Sequence, residues 1–174
     1  LGGITYGVSD LELTAAYAAI ADGGQYRKPV FYTKVTDSKG NVLIDNTENK
    51  ATQVFKASTA SLLTNAMEDV LEKGTGVAAR LDNMHAAGKT GTTNEAKDLV
   101  FAGFTPYYTA AIWATYDTHA EFPESDREFH KRLWAKVMNE IHEGLADMDF
   151  ETSATVQEAT ICTKTGLLAR SSCP

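Results

Sequence analysis

Residues Ala87-Gly88-Lys89-Thr90-Gly91-Thr92-Thr93 put a cation, hydroxyl groups and a glycine on one short stretch. Side chains of an extended segment alternate between faces, so Thr90 and Thr92 share a face and can donate together to a carboxylate. Lys89 supplies positive charge that favours an anionic ligand and depresses the pKa of a neighbouring group. Gly91 removes a side chain where another backbone must come close. The Thr92 N–H can point at a developing oxyanion, a preorganised contact whose loss costs about 3 kcal/mol. The chemistry served is the capture of a carboxylate beside a carbonyl that gains negative charge. Lys89 and Thr92 are the catalytic candidates, and Thr90, Gly91, Thr92 and Thr93 the substrate-binding ones.

Covalent work at such a site needs a nucleophile with its base, and the chain holds no serine with a lysine three residues later. Ser9 is followed at that spacing by Glu12, Ser58 by Ser61, Ser61 by Thr64, Ser125 by Glu128 and Ser153 by Val156; no Ser-x-Asn occurs either. The stretch therefore reads as one wall of an active site without its nucleophile. Two rival readings compete. A solvated surface strand fits the triplet Lys-Thr-Gly alone, which recurs by chance. A nucleotide-binding P-loop would need glycine where Asn83 stands and a helix starting at Lys89, which Gly91, Thr92 and Thr93 oppose.

The elements that must hold this stretch follow from periodicity. Ser9-Asp10-Leu11-Glu12 is a capping-box pattern, followed by an apolar stripe at Leu13, Ala16, Tyr17 and Ile20 and a stop at Asp22-Gly23-Gly24. Val30 to Thr36 and Asn41 to Asp45 read as strands joined by the turn Asp37-Ser38-Lys39-Gly40. Ala57 to Glu72 reads as a helix with Leu62, Leu63, Ala66, Met67, Val70 and Leu71 as its buried face, ended by Lys73-Gly74-Thr75-Gly76. After the Met84 to Thr93 segment and a polar loop at Asn94 to Asp98, Leu99 to Thr105 and Tyr108 to Tyr116 form an antiparallel pair around Pro106-Tyr107. Arg127 to Glu143 is a third helix with Phe129, Leu133, Val137 and Ile141 four apart, broadened by Trp134 and Met138. The expected fold is α+β, an antiparallel sheet packed against helices. Residues 1–144 form the domain portion, 145–160 a linker and 161–174 a short tail.

Composition bounds the alternatives. The 174 residues carry 43% hydrophobic and 22% charged side chains, which argues against global disorder. A net charge of −7 with scattered Lys and Arg disfavours nucleic acid as a partner. No apolar run is long enough for a membrane helix, and a start at Leu1 without a signal peptide reads as a processed or excised segment. Cys162 and Cys173 cannot complete a zinc site, since none of His85, His119, His130 or His142 stands at ligand spacing from them. The two cysteines fit a local disulfide in an oxidising compartment and fit two free thiols equally.

The flanks of Lys-Thr-Gly carry a resemblance far more specific than the triplet. Leu1-Gly2-Gly3 through Ser9, Ala15-Ala16-Tyr17, Ala21-Asp22-Gly23-Gly24, Gly74-Thr75-Gly76, Gly103-Phe104-Thr105-Pro106 and Trp113 to Asp117 stand in one register with it. So does the tail from Ile161-Cys162-Thr163-Lys164-Thr165-Gly166-Leu167-Leu168-Ala169 to Cys173-Pro174. Together they resemble class A penicillin-binding proteins, whose signatures are Ser-x-x-Lys, Ser-x-Asn and Lys-Thr-Gly. The resemblance implies a serine D,D-transpeptidase domain of the penicillin-binding-protein and β-lactamase type, of which this chain is the C-terminal part. It implies peptidoglycan stem peptides and β-lactam antibiotics as ligands, no metal and no organic cofactor. Thr90 and Thr92 would hold the terminal carboxylate, the Thr92 amide would serve the oxyanion, and Lys89 would sit behind the second-signature serine. The missing N-terminal part of the same domain is an expected partner, needed because the buried helical faces otherwise lack theirs. The intact protein would lie outside the cytoplasmic membrane, held by an upstream anchor and carrying an upstream glycosyltransferase domain. The chain alone is expected to be inactive. The alternative is a non-catalytic wall-binding or interaction module with a transpeptidase-like fold.

Overall fold

The capping box forms as its spacing predicts. In the computed structural model, which describes residues 6–170, helix α1 spans Asp10–Ala21. The Ser9 hydroxyl accepts from the Glu12 N–H at 3.3 Å, and the Glu12 carboxylate accepts from the Ser9 N–H at 2.8 Å, so two amides at the helix start are satisfied reciprocally. Gly23 and Gly24 take the chain out of the helix at φ 61° and 90°. Ala15 and Ala19 are the buried residues of α1, with Tyr17 and Ile20 half-buried beside them, whereas Ala16 is exposed rather than part of the inner stripe.

Two small ribbons follow. β1 (Gln25–Tyr26) pairs antiparallel with β4 (Thr52–Gln53), a pairing too short to announce itself in the pattern. β2 (Lys34–Thr36) and β3 (Val42–Asp45) form the expected hairpin. Its turn is closed by the Asp37 carboxylate, which accepts from Lys39 N–H at 2.8 Å and Asn41 N–H at 2.9 Å, while Gly40 sits at φ 84°. The strand expected from Val30 begins only at Lys34; Val30, Phe31 and Tyr32 lie outside regular structure and exposed, because among the described residues no strand pairs with them.

Helix α2 occupies Ala57–Glu72, the bounds expected, but its inner face is different. Ala60, Thr64, Met67 and Leu71 are buried, whereas Leu62 and Leu63 are 61% and 41% exposed and Ala66 is exposed as well. The helix rests on the sheet through that seam and through half-buried Val70, which packs against the cluster around Leu71 and Phe101, while Leu62, Leu63 and Ala66 lie on its outward face.

That sheet holds β5 (Ala87–Thr92), β6 (Asp98–Phe104) and β7 (Thr109–Thr115), antiparallel in the order β5-β6-β7. β6 is covered on both faces. Phe104 packs with Met67 and Ala87, joined by Tyr17, Ile20 and Phe150, on the side of α1 and α2. Phe101 points the other way, into a cluster with Leu71, Leu81, Met84, Trp134 and Met138. Helix α3 (Phe129–Ile141) supplies that second layer. Its Trp134 is 1% exposed, meets Phe101 edge-on at 4.9 Å and donates its indole N–H to the Ala110 carbonyl at 3.0 Å. Burying side chains of this size contributes about 1.5–3 kcal/mol each. The arrangement is the expected α+β one.

α3 corrects a second expectation. The residues it buries are His130, Lys131, Trp134, Ala135 and Met138. Phe129, Leu133, Val137 and Ile141, the stripe read as core, are 40%, 46%, 46% and 46% exposed. The helix carries two apolar rows, and the sheet takes the one centred on Trp134. It is also shorter than read, starting after a 3₁₀ turn at Glu124–Asp126.

Beyond α3, His142 is buried, donating from Nδ1 to Met138 O at 2.6 Å and meeting the Thr105 hydroxyl through Nε2 at 2.7 Å. Residues 145–153 lack regular structure yet do not hang free as a linker would. The Tyr107 hydroxyl donates to Ala146 O, Phe150 stacks edge-on against Phe104, and the Ser153 N–H donates to the Ser61 hydroxyl. His85 lies 3.7 Å and 3.3 Å from Asp147 and Asp149. The tail forms a small loop in which Cys162 N–H donates to Leu167 O and Ala169 N–H to Thr160 O. Cys162 is buried and is not a free thiol; Cys173, like Leu1-Gly2-Gly3, lies outside the described residues.

Candidate active site

β5 is an edge strand with only β6 beside it among the described residues. Its register fixes which amides face outward. The Thr93 N–H donates to Asp98 O at 3.2 Å, one pair beyond Thr92–Leu99 in the ladder. Antiparallel pairs alternate between bonded and non-bonded, so Gly91, Lys89 and Ala87 bond to β6, while the N–H groups of Thr92, Thr90 and Gly88 point to the open edge. Thr92, whose amide was the candidate oxyanion donor, is thus on the outward register.

The side chains complete the edge. Thr90 and Thr92 leave the strand on the face that Phe101 shares, and Lys89 leaves on the opposite one. The lysine curls back over the margin, its Nζ 2.9 Å from Thr90 O and 3.2 Å from Thr90 Oγ1. Lys89 and Thr92 are exposed and Thr90 and Gly91 half-buried, so the stretch lies open along the sheet margin. Thr92's hydroxyl has no hydrogen-bond partner among the described residues. The extended backbone from Ala87 to Thr92 also disposes of the P-loop reading, which requires a helix at Lys89.

Two of the glycines differ from what spacing conveys. A Cβ built on Gly88 would stand 2.8 Å from both Ala102 O and Phe101 Cζ, so Gly88 is the position where this chain's own backbone comes close. A Cβ on Gly91 would meet only Val100 Cβ, at an ordinary 3.4 Å. Nothing within the described residues requires glycine there.

Thr93 is committed. Its hydroxyl donates to Asp98 Oδ2 at 2.9 Å and accepts from the Asp98 N–H at 2.8 Å, which closes the β5–β6 turn. Glu95 and Ala96 turn that loop at φ 60° and 50°, and the Ala96 carbonyl accepts from Phe122 N–H at 3.0 Å. Asp98 also accepts from the Trp113 indole N–H at 3.0 Å and faces His119 at 3.4 Å. Burial raises the Asp98 carboxyl, but the bonds from Thr93, Trp113 and His119 outweigh it and hold the group below its ordinary value. No alternation argument exposes Asp98, because its partners come from three separate segments.

A further contact was not visible in the spacing. The Thr75 hydroxyl, in the loop after α2, lies 2.7 Å from the Thr90 hydroxyl. Among the described residues no group of His, Cys, Asp and Glu side chains could hold a metal, and no helix is long and apolar enough to cross a membrane. What the edge offers is an ammonium, two hydroxyls on one face and outward amides, a set suited to an extended anionic peptide.

Comparison with known proteins follows the same line. The penicillin binding protein transpeptidase domain family matches residues 2–143. Penicillin-binding protein 1A of Clostridium perfringens is 34% identical over 172 residues, covering 99% of this chain and 20% of that protein. Penicillin-binding protein 4 of Bacillus subtilis is 41% identical over 118 residues, covering 68% of this chain and 19% of that protein. The chain therefore spans about a fifth of the length of these relatives. Among solved structures, PonA1 of Mycobacterium tuberculosis in complex with penicillin V matches with a TM-score of 0.70 and 27% identity, over 80% of this chain and 39% of that one. Penicillin-binding protein 1A of Haemophilus influenzae, at 19% identity, shares the fold with a TM-score of 0.77 over 96% of this chain and 31% of that one.

Proposed function

The chain belongs to the penicillin-binding-protein transpeptidase domain family, and from that premise we propose that it forms the substrate-binding wall of a serine D,D-transpeptidase acting in peptidoglycan synthesis. The observation that carries this reading is the outward register of the Thr90 and Thr92 amides, beside their hydroxyls and the Lys89 ammonium. A stem peptide adds to β5 as an extra strand, its backbone bonding to that margin. Thr90 and Thr92 donate to its terminal carboxylate. The Thr92 N–H faces the carbonyl between the two terminal D-alanines as negative charge collects on oxygen.

The attacking serine, with the lysine that takes its proton, and the Ser-x-Asn serine come from a segment outside this chain. Serine oxygen bonds to the carbonyl carbon, the D-Ala–D-Ala bond breaks, and D-alanine leaves with a proton on its nitrogen. The amine of a second stem then displaces the serine. Lys89 stabilises the anionic partners electrostatically without forming a bond. β-Lactams enter by the same route and stay attached. Thr93, with its hydroxyl held by Asp98, closes the strand and leaves ligand contact to Thr90 and Thr92. No metal or organic cofactor takes part.

The rest of the domain is the natural partner. The exposed row Phe129, Leu133, Val137 and Ile141 and the open edge of β7 are surfaces that such a segment would cover. In the intact protein this domain works outside the cytoplasmic membrane, tethered by an upstream anchor and preceded by a glycosyltransferase domain.

Lys89→Ala in the reconstituted full domain separates this reading from a non-catalytic wall-binding module. The enzyme reading requires acylation by labelled penicillin to fall about 10- to 150-fold, the weight of a charge-assisted hydrogen bond; an unchanged rate would favour the module. This polypeptide alone gains no penicillin mass in intact-mass spectrometry, and a covalent adduct on it would refute the missing-nucleophile argument.

A further inference from the structure

The tripeptide Gly74-Thr75-Gly76 is more than the end of α2. A Cβ on Gly74 would stand 2.8 Å from Val70 Cα, and one on Gly76 3.0 Å from Val70 O, so both glycines let the loop fold tightly onto the helix end. The Gly76 N–H donates to Val70 O at 2.8 Å. From α3, Lys131, 7% exposed, donates from Nζ to Thr75 O at 3.1 Å and pairs with Glu128. The loop is thus fixed on both sides of Thr75, whose hydroxyl is presented to Thr90 at 2.7 Å.

Donor and acceptor accounting gives that contact a direction. A threonine hydroxyl has one proton and two lone pairs, an ammonium only donates, and an ionised carboxylate only accepts. Lys89 Nζ, 3.2 Å from Thr90 Oγ1, occupies one lone pair. To bind a carboxylate, Thr90 must donate its single proton to it. Thr75 is then the donor to the second lone pair, and its hydroxyl proton has no other taker among the described residues. With both lone pairs filled, the Thr90 proton is left to the ligand.

We propose that Thr75 is a positioning residue of the site: its hydroxyl, held by the Lys131–Glu128 brace, turns the Thr90 hydroxyl into an obligate donor towards the carboxylate of the bound peptide or β-lactam. The inference rests on the transpeptidase reading and adds a residue to it. Hydrogen bonds arranged in series also polarise one another, which strengthens the outermost bond.

The test is the second-order acylation rate of the intact protein with a fluorescent penicillin, measured for wild type, Thr75→Val, Thr75→Ser, Thr90→Val and the Thr75→Val/Thr90→Val pair. Thr75→Val should slow acylation about five- to tenfold, the loss of one neutral hydrogen bond. Thr75→Ser, which keeps the hydroxyl, should restore it. In the Thr90→Val background the Thr75 change should have no further effect, a non-additivity that a packing role would not produce. Should Thr75→Val fail to fold, Thr75→Ala takes its place in the same cycle. A Thr75→Val rate equal to wild type, or an equal loss with and without the Thr90 hydroxyl, overturns the assignment while leaving the transpeptidase reading intact. A wild-type protein that is not acylated removes both.

Discussion

Replacing Gly88 and Gly91 in turn by alanine separates the two reasons a glycine can sit in this strand. At Gly88 the new Cβ would lie 2.8 Å from Ala102 O and Phe101 Cζ and 3.0 Å from Gly103 Cα. Carbon contacts are comfortable at about 3.5–4.0 Å, so the shortfall is about 0.7 Å or more. Ala102 is held in the middle of the ladder, and Phe101 is fully buried against Trp134, so neither can give way cheaply. An overpacked site of this kind costs about 2–3 kcal/mol, or about a 30- to 150-fold shift towards the unfolded state. In a domain of this size that lowers Tm by about 4–12 °C. At Gly91 the corresponding Cβ meets Val100 at 3.4 Å, and the alanine restricts the unfolded chain, so stability should be unchanged or rise by up to about 1 kcal/mol. The functional order is reversed in kind. Gly91→Ala should fold as wild type yet be acylated more slowly by labelled penicillin, because the added methyl meets the incoming ligand rather than the protein. Urea denaturation and acylation kinetics on the intact domain decide it. If Gly91→Ala destabilises as much as Gly88→Ala, the register argument for the strand is wrong; if it is acylated at the wild-type rate, no ligand backbone comes close at that point.

Other consequences can be checked on the same material. Leu133→Glu and Val137→Glu should change the stability of this chain by no more than about 0.5 kcal/mol, since both residues are 46% exposed. The same changes should block reassembly with the segment carrying Ser-x-x-Lys, read by size-exclusion chromatography of the mixed parts; reassembly at wild-type affinity would free α3 from any such partner. For pH, the Asp98 carboxyl is held below its unfolded value. Its stabilisation is therefore full above the unfolded aspartate range and is lost as pH falls through the lower folded value. Asp98→Asn should remove that part of the acid dependence, and urea midpoints taken from neutral pH to about pH 3 should show a shallower acid limb. An identical limb in the variant would mean that the links to Thr93, Trp113 and His119 contribute nothing to folding.

Local patterns were legible in this sequence and long-range choices were not. The capping box at Ser9 and Glu12 and the bounds of α2 follow from neighbouring residues and appear where read, and the extended stretch read over Ala87 to Thr93 forms as a strand over Ala87–Thr92. The inner faces of α2 and α3 do not follow. A helix such as α3 carries Phe129-Leu133-Val137-Ile141 on one row and Trp134-Ala135-Met138 on another, and periodicity ranks them alike. Which row is buried depends on Phe101, Ala110 and Ile112 across the sheet. The candidate site divides the same way. Lys89, Thr90 and Thr92 declare themselves by type and spacing, whereas Thr75 and Asp98 join them through contacts that only folding makes. The Gly-Thr-Gly triplet is the sign of Thr75 in the sequence, legible as a helix stop and as part of the family resemblance but not as a contact to Thr90.

The curl of Lys89 over the rim of β5 has a consequence for solubility as well as for the ligand capture proposed above. A bare strand margin is a template on which any stray strand can nucleate an aggregate, and a lysine placed there is a common safeguard, since a permanent neighbour would have to strip its water. An ionic guest compensates that dehydration; a neutral strand does not. In the function proposed above the same ammonium is a gatekeeper, admitting short-lived anionic visitors and turning away the chain's own kin; on that reading its loss should leave a protein that sticks as well as one that binds poorly.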